Sequence, residues 1–169
     1  VKRRLEGARQ ASCRADGKGL TKQRFWHILP KRFVKSFARV PPMLALRDVS
    51  DAHGGYRTVS RLLDLPTPPT GVFCFNDKMA MGAYQATAER GLRVPEDLSV
   101  VGYDDQELIA SSLSPGLTTV ALPHYEMGAW AGRMLLGLIE DAAALNHKPL
   151  QKLMPCPLIR RDSVGPPSR

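Results

Sequence analysis

The sequence predicts an α/β fold: an open, mostly parallel sheet with flanking helices. Three observations predict it. Short apolar runs at Gly71–Phe75, Leu98–Gly102 and Leu117–Leu122 alternate with longer amphipathic segments, the order that sets helices against a parallel sheet. The first run is nearly all apolar rather than alternating, which suits a sheet covered on both faces. The first two runs lead into polar residues, Asn76-Asp77 and Tyr103-Asp104-Asp105, and the carboxyl ends of strands are where open α/β sheets place their ligands.

The elements follow in order. Val1–Gln10 opens with helical spacing, Leu5 and Ala8 sharing a side. Ala11–Arg39 has no sustained period; it holds Gly17, Gly19, scattered Lys and Arg, and the aromatic residues Phe25, Trp26, Phe33 and Phe37, which are expected in a core or an interface. Partial helical spacing over Phe33–Val40 stops at Pro41-Pro42. Met43–Arg47 is expected as a short strand and Ser50–Gly55 as a loop. Tyr56–Leu65 is a helix, with Tyr56, Val59, Leu62 and Leu63 spaced for one buried face, and Pro66, Pro68 and Pro69 end it.

Asn76-Asp77 is placed to cap a helix over Lys78–Arg90, and Gly91 suits the left-handed position beyond its end. Leu108–Gly116 reads as a loop. Residues 124–141 form the longest helix, with Tyr125, Met127, Ala131, Leu135 and Leu138 among its apolar positions. Asn146–Leu150 is a turn region. Met154–Arg161 is a last strand interrupted by Pro155 and Pro157, hence an edge or crossing strand. Three segments result: residues 1–42, basic and atypical; residues 43–163, the body; residues 164–169, a flexible tail.

Composition narrows the function. A chain of 169 residues that is 43% apolar builds a core rather than remaining disordered. It contains no run of eighteen or more apolar residues, so no membrane span is expected. No apolar signal core opens it, and the cytoplasm is the expected compartment. Cys13, Cys74 and Cys156 are widely spaced, and His27, His53, His124 and His147 do not cluster; neither a disulfide framework nor a metal site is expected.

The net charge of +8 is unevenly distributed. Residues 1–47 hold 13 basic and 2 acidic groups, whereas residues 48–169 hold 11 and 14. A basic amino-terminal segment is suited to nucleic acid phosphates or to a solvated arm. Phosphate-binding glycine loops and a G-x-S-x-G elbow are absent from the sequence. Asp77 and Asp104 are a conceivable carboxylate pair, but no nucleophile or general base accompanies them. An enzyme is not expected, and neither is a cofactor.

A binding site is better supported. Three polar loops, Asp48–His53, Asn76-Asp77 and Asp104-Asp105, follow expected strands at one sheet edge. Carboxylates and amides engage hydroxyl groups in pairs, which suits a sugar or similar polyhydroxylated ligand. Simpler roles stay open for each: Asn76 or Asp77 as a helix cap, Asp104 and Asp105 as turn residues, Tyr56 as packing.

The residues also resemble a known family. Thr70–Gly82, TGVFCFNDKMAMG, resembles the N-D-x-M-A-x-G block of the lactose/galactose repressor family, and Arg90–Asp105, RGLRVPEDLSVVGYDD, is similar to its R-G-L-x-V-P-x-D block without gaps. Ser114–Val120 resembles its P-P-L-T-T-V strand, Tyr125–Leu138 its E-M-G-x-x-A helix, and Pro157–Ser163 its closing L-x-x-R-x-S. Together these blocks lie between Gly55 and Ser163. Arg4-Leu5-Glu6-Gly7 and Asp48–Tyr56 are similar to further blocks, with Ala8 in place of an aromatic, one additional residue in the second loop and Gly54 in place of Ser.

The resemblance implies a periplasmic-binding-protein-like body of two lobes with the effector, a sugar or related small polar molecule, held between them. It implies a homodimer in an intact relative, and operator DNA bound through an amino-terminal helix-turn-helix head. By the resemblance, Arg4, Asn76 and Asp104 contact effector hydroxyls, Val49 stands where many relatives place an aromatic, and Leu122 stands where relatives often have Gln. The chain is expected to hold mainly the second lobe, without a DNA-binding head, and residues 124–141 would then present an apolar face to the first lobe. The resulting expectation is the effector-sensing part of a sugar-responsive transcriptional regulator. The alternatives are part of a transport-type sugar-binding protein, a non-functional remnant, and a nucleic-acid binder acting through the basic arm.

Overall fold

The computed structural model describes residues 40–140 and 151–168. The helix expected at Val1–Gln10, Arg4, the aromatic residues Phe25–Phe37 and the turn at Asn146–Leu150 lie outside the described residues. Leu46–Arg169 forms one compact unit, and the described residues 40–45 belong to a separate first unit.

In the first unit, Pro42–Leu44 is a single 3₁₀ turn. The strand expected over Met43–Arg47 is not formed. Pro41 and Pro42 set backbone angles that start a turn, and the Leu44 and Ala45 N–H groups donate back to the carbonyls of Pro41 and Pro42. Those donors are unavailable to a sheet, and Met43 is 72% exposed.

In the second unit, α1 spans Ala52–Leu63. It begins inside the segment expected as a loop, because Asp51 caps it by accepting from the Gly54 N–H at 2.7 Å. The glycines there serve close helix packing. A Cβ at Gly55 would lie 2.0 Å from the Met79 carbonyl oxygen, and one at Gly82 would lie 1.9 Å from that of Ala52. Met79 and Gly82 belong to α2, Asp77–Ala88. The two helices therefore meet backbone to backbone, and that contact outweighs the roughly 1 kcal/mol that a mid-helix glycine costs relative to Ala. Arg90, just beyond α2, pairs with Asp64 at the end of α1 at 2.9 Å. Gly91 takes the expected positive φ, 66°.

The sheet consists of β1 (Gly71–Phe73), β2 (Ser99–Asp104), β3 (Thr118–Ala121) and β4 (Leu158–Ile159), in that spatial order. The first three strands are parallel and β4 joins antiparallel, with Val120 opposite Leu158. Thus β4 is the edge strand that the prolines predict. β1 is the other edge; it stops short of Phe75, which is 55% exposed, and its side chains are at most half-buried. The short helix α3, Glu107–Ala110, occupies part of the segment expected as a loop. It seats Ala110 in the core and offers that residue's carbonyl to the Leu117 N–H at 2.9 Å.

The core lies between α2 and the central strands. Val59, Leu63, Cys74, Ala80, Ala83, Ala86, Leu98, Val100 and Leu117 form one buried cluster. Full burial of an aliphatic side chain such as Leu98 or Leu117 contributes about 1.5–3 kcal/mol. The closing segment is tied in by polar contacts. The fully buried Ser163 hydroxyl donates to the Val100 carbonyl at 2.6 Å and accepts from the Thr118 N–H at 2.8 Å, joining β2 to β3. Beyond it, the Ser168 hydroxyl donates to the Glu96 carbonyl at 2.8 Å.

The last helix, α4, spans His124–Glu140. Tyr125, Leu135, Leu136 and Ile139 on it are exposed. No helix among the described residues is long and apolar enough to cross a membrane.

Candidate functional site at the carboxyl edge of the parallel strands

Because β1, β2 and β3 are parallel neighbours, their carboxyl ends share one edge of the sheet. Asn76 follows β1 there. Its extended backbone makes it the N-cap of α2, where its Oδ1 accepts from the Met79 N–H at 2.8 Å. Its Nδ2 donates to the Ser50 carbonyl at 3.0 Å. One side chain thus caps a helix and holds the 48–50 loop beside it. Val49, in that loop, is 61% exposed. Asp48 of the same loop is paired with the Arg57 guanidinium, whose Nε donates at 2.9 Å. That hydrogen bond, with help from the Val49 N–H, holds the Asp48 carboxyl down at about 2.

Asp104 ends β2 at the same edge, half-buried. Its φ is 111° and that of Asp105 is 51°. Non-glycine residues in such conformations cost of order 1–3 kcal/mol each and concentrate at functional sites. Burial raises the Asp104 carboxyl above its ordinary range, opposed by a hydrogen bond from Gln106 and by the electrostatic influence of His124 and Lys78. The Gln106 Nε2 donates to it at 3.3 Å. Leu122, just beyond β3, donates its N–H to the Asp104 carbonyl at 3.3 Å. Asp105 pairs with Arg161 at 2.9 Å, and Arg161 also donates to the Leu117 carbonyl at 2.8 Å. Arg161 and Ser163, both in the closing sequence block, are therefore fasteners of this edge and of the strands behind it.

Asp77 is the residue that joins the two sides. It is fully buried. Its Oδ1 accepts from the Thr119 hydroxyl at 2.6 Å, and its Oδ2 from the Gln106 N–H at 2.7 Å. The conceivable Asp77–Asp104 acid–base pair is not formed: both Asp77 oxygens are engaged inside the protein, and burial raises its carboxyl above the usual range against those two hydrogen bonds. The edge thus brings together Asn76 with the loop of Val49 on one side, and Asp104 with Leu122 on the other, with Asp77 and Gln106 linking them. Arg4 lies outside the described residues. Sequence reasoning passed over Gln106, which donates to Asp104, and Lys78 and His124, whose electrostatic influence reaches its carboxyl. Their proximity comes from the turn after β2 and from the starts of α2 and α4, and no local pattern announces it. No group of three or more potential metal ligands occurs among the described residues.

Comparison with known proteins identifies the family and the fold. Residues 3–164 match the family described as periplasmic binding protein-like domain. The chain is 40% identical over 125 residues to the HTH-type transcriptional repressor CytR of Escherichia coli, covering 74% of this chain and 36% of that protein. It therefore spans about a third of the length of such curated relatives. A LacI family transcriptional regulator from Enterococcus faecalis, solved with bound ribose, superimposes with a TM-score of 0.61 at 36% identity, over 69% of this chain and 41% of that one. A LacI family regulator from an Arthrobacter species, solved with lactose, gives 0.61 at 32% identity, over 68% and 42%. The chain belongs to the periplasmic binding protein-like domain family, in the form carried by the effector-binding domains of lactose/galactose-repressor-family transcriptional regulators.

Proposed function

We propose that this chain senses a sugar as the effector-binding segment of a transcriptional regulator, residues 43–163 supplying one wall of the site. Asn76 and Asp104 are its polar contacts, and Val49 and Leu122 line it. The observation that carries this reading is the rim itself. A half-buried carboxylate, Asp104, is held at φ 111° with Gln106 donating to it, within the electrostatic reach of Lys78 and His124, on the edge that also holds Asn76. Such a set donates to and accepts from adjacent hydroxyls. The relatives solved with ribose and lactose favour a sugar over other polar ligands.

In the complete regulator, the effector acts by preferring one arrangement of two lobes while operator DNA prefers the other. On this reading the chain works in the cytoplasm, within a homodimer whose DNA-binding head lies elsewhere in the regulator, and it catalyses no reaction. Calorimetric titration with D-ribose and with lactose, on the wild type and Asp104→Asn, tests the proposal. Losing a charged acceptor removes about 1.5–3 kcal/mol of hydrogen bonding, so affinity should fall tenfold or more. Equal affinity of the variant, or no binding of either sugar to the wild type, rejects the reading.

A further inference from the structure

We infer that Asp77, which is fully buried behind the rim, is a positioning residue that sets the binding conformation of Asp104. This rests on the assignment of Asp104 to the effector rim. Three observations converge on it.

First, the hydrogen bonds that Asp77 accepts come from outside its own helix. Asn76 caps α2, and both Asp77 oxygens point away from α2, to Thr119 on β3 and to the Gln106 N–H in the turn after β2. A fully buried carboxylate is costly unless its hydrogen bonds are complete, and here one of the two comes from the binding turn and the other from the strand behind it.

Second, that turn needs an external hold. Asp104 and Asp105 both have positive φ, and such residues persist only where surrounding contacts over-determine them. The Asp77–Gln106 bond fixes the turn at its exit. The Asp105–Arg161 pair, 2.9 Å, and the bond from the Leu122 N–H to the Asp104 carbonyl, 3.3 Å, fix it from the β3–β4 side. Gln106 is doubly placed: its backbone is held by Asp77 while its side chain donates to Asp104.

Third, the space for the carboxylate is reserved. A Cβ on Gly102 would lie 2.2 Å from the Asp77 Oδ1, so only glycine in the middle of β2 leaves room for it. Carboxylate, glycine and threonine form one fitted unit behind the rim.

Amide hydrogen exchange at Gln106 and D-ribose calorimetry, on the full chain, test the inference with Asp77→Ala, Asp77→Asn and, as a destabilised control away from the rim, Val59→Ala. Asp77→Ala should speed Gln106 exchange at least tenfold beyond the control and weaken ribose binding. Asp77→Asn should restore both, because its amide oxygen still accepts from Gln106 while Thr119 turns its hydroxyl to accept from the new amide. Should Asp77→Ala fail to fold, Thr119→Val, which strands Oδ1, should accelerate Gln106 exchange instead. Exchange no faster than in Val59→Ala, or in Thr119→Val no faster than in the wild type, overturns the inference. If Asp104→Asn leaves ribose binding unchanged, the rim assignment fails, and Gln106 exchange still decides whether Asp77 holds the turn.

Discussion

Asp77 and Gln106 are 29 residues apart in sequence, yet the buried carboxylate of one accepts the backbone N–H of the other at 2.7 Å. Through that bond the start of α2 and the end of β2 become one rim. The two polar residues placed on it, Asn76 and Asp104, follow different strands and reach the same edge because those strands are parallel.

Asn76 combines a structural and a proposed binding task, and the two are separable. Asn76→Ala removes the acceptor for the Met79 N–H and should lower stability by about 1 kcal/mol. Asn76→Asp keeps that acceptor, so urea unfolding should place it close to the wild type. Both variants lack the Nδ2 donor and should bind ribose more weakly. An Asp variant as unstable as the Ala variant contradicts the capping account.

The α1–α2 contact depends on absent side chains. Gly82→Ala would place a methyl group 1.9 Å from the Ala52 oxygen and 2.4 Å from the Tyr56 nitrogen. Neither backbone atom moves without moving the helix, so the expected loss is about 1–3 kcal/mol or more. Gly132→Ala in α4 meets nothing within 4 Å and should be neutral or stabilising by up to about 1 kcal/mol through helix propensity. Urea midpoints of the two variants give the comparison, and equal midpoints refute the packing account.

Much of this fold is written locally. Asn76 and Gly91 mark the ends of α2 through groups within a turn of each end, and the apolar runs of β2 and β3 locate the central strands. Other features depend on distant partners. Gly54 and Gly55 read as loop residues because their place in a helix is justified by non-local backbone: that of Val49, which a side chain at Gly54 would strike, and that of Met79 across the helix pair, which one at Gly55 would strike. The apolar character of Met43–Arg47 does not reveal whether a neighbouring strand exists to receive it. At the site, Asn76 and Asp104 are visible as polar residues after apolar runs. The role of Asp77 is not, since its burial is made tolerable by Thr119, 42 residues away, and by the missing side chain of Gly102.

Acid should act on the rim and the 48–50 loop in opposite senses. Asp48 has a folded-state pKa of about 2, below its ordinary 3.8. Its contribution is complete above about pH 4 and is lost as pH falls through about 2. Asp77 and Asp104 have raised folded-state values. Their ionisation lowers stability as pH rises from the unfolded carboxyl range through the raised folded-state value. Comparing Asp48→Asn with the wild type in urea, the stability gap should be widest at about pH 5 and above and should narrow toward about pH 2. A gap independent of pH rules out the ion-pair assignment.

Cys74 is buried among apolar residues, and burial pushes its thiol up to about 12. It should resist iodoacetamide in the folded protein while the half-buried Cys156 is modified, and both should react in urea. Peptide mass mapping reads this directly; fast native modification of Cys74 would show that the core around it opens.

The most direct measurement of the central claim is a backbone amide NMR spectrum of the labelled chain during addition of D-ribose. The account predicts saturable shifts centred on Asn76, Asp104, Gln106 and Leu122, with Leu98 and Val100 in the core little changed. Saturable shifts centred elsewhere, or none at the rim, would contradict it.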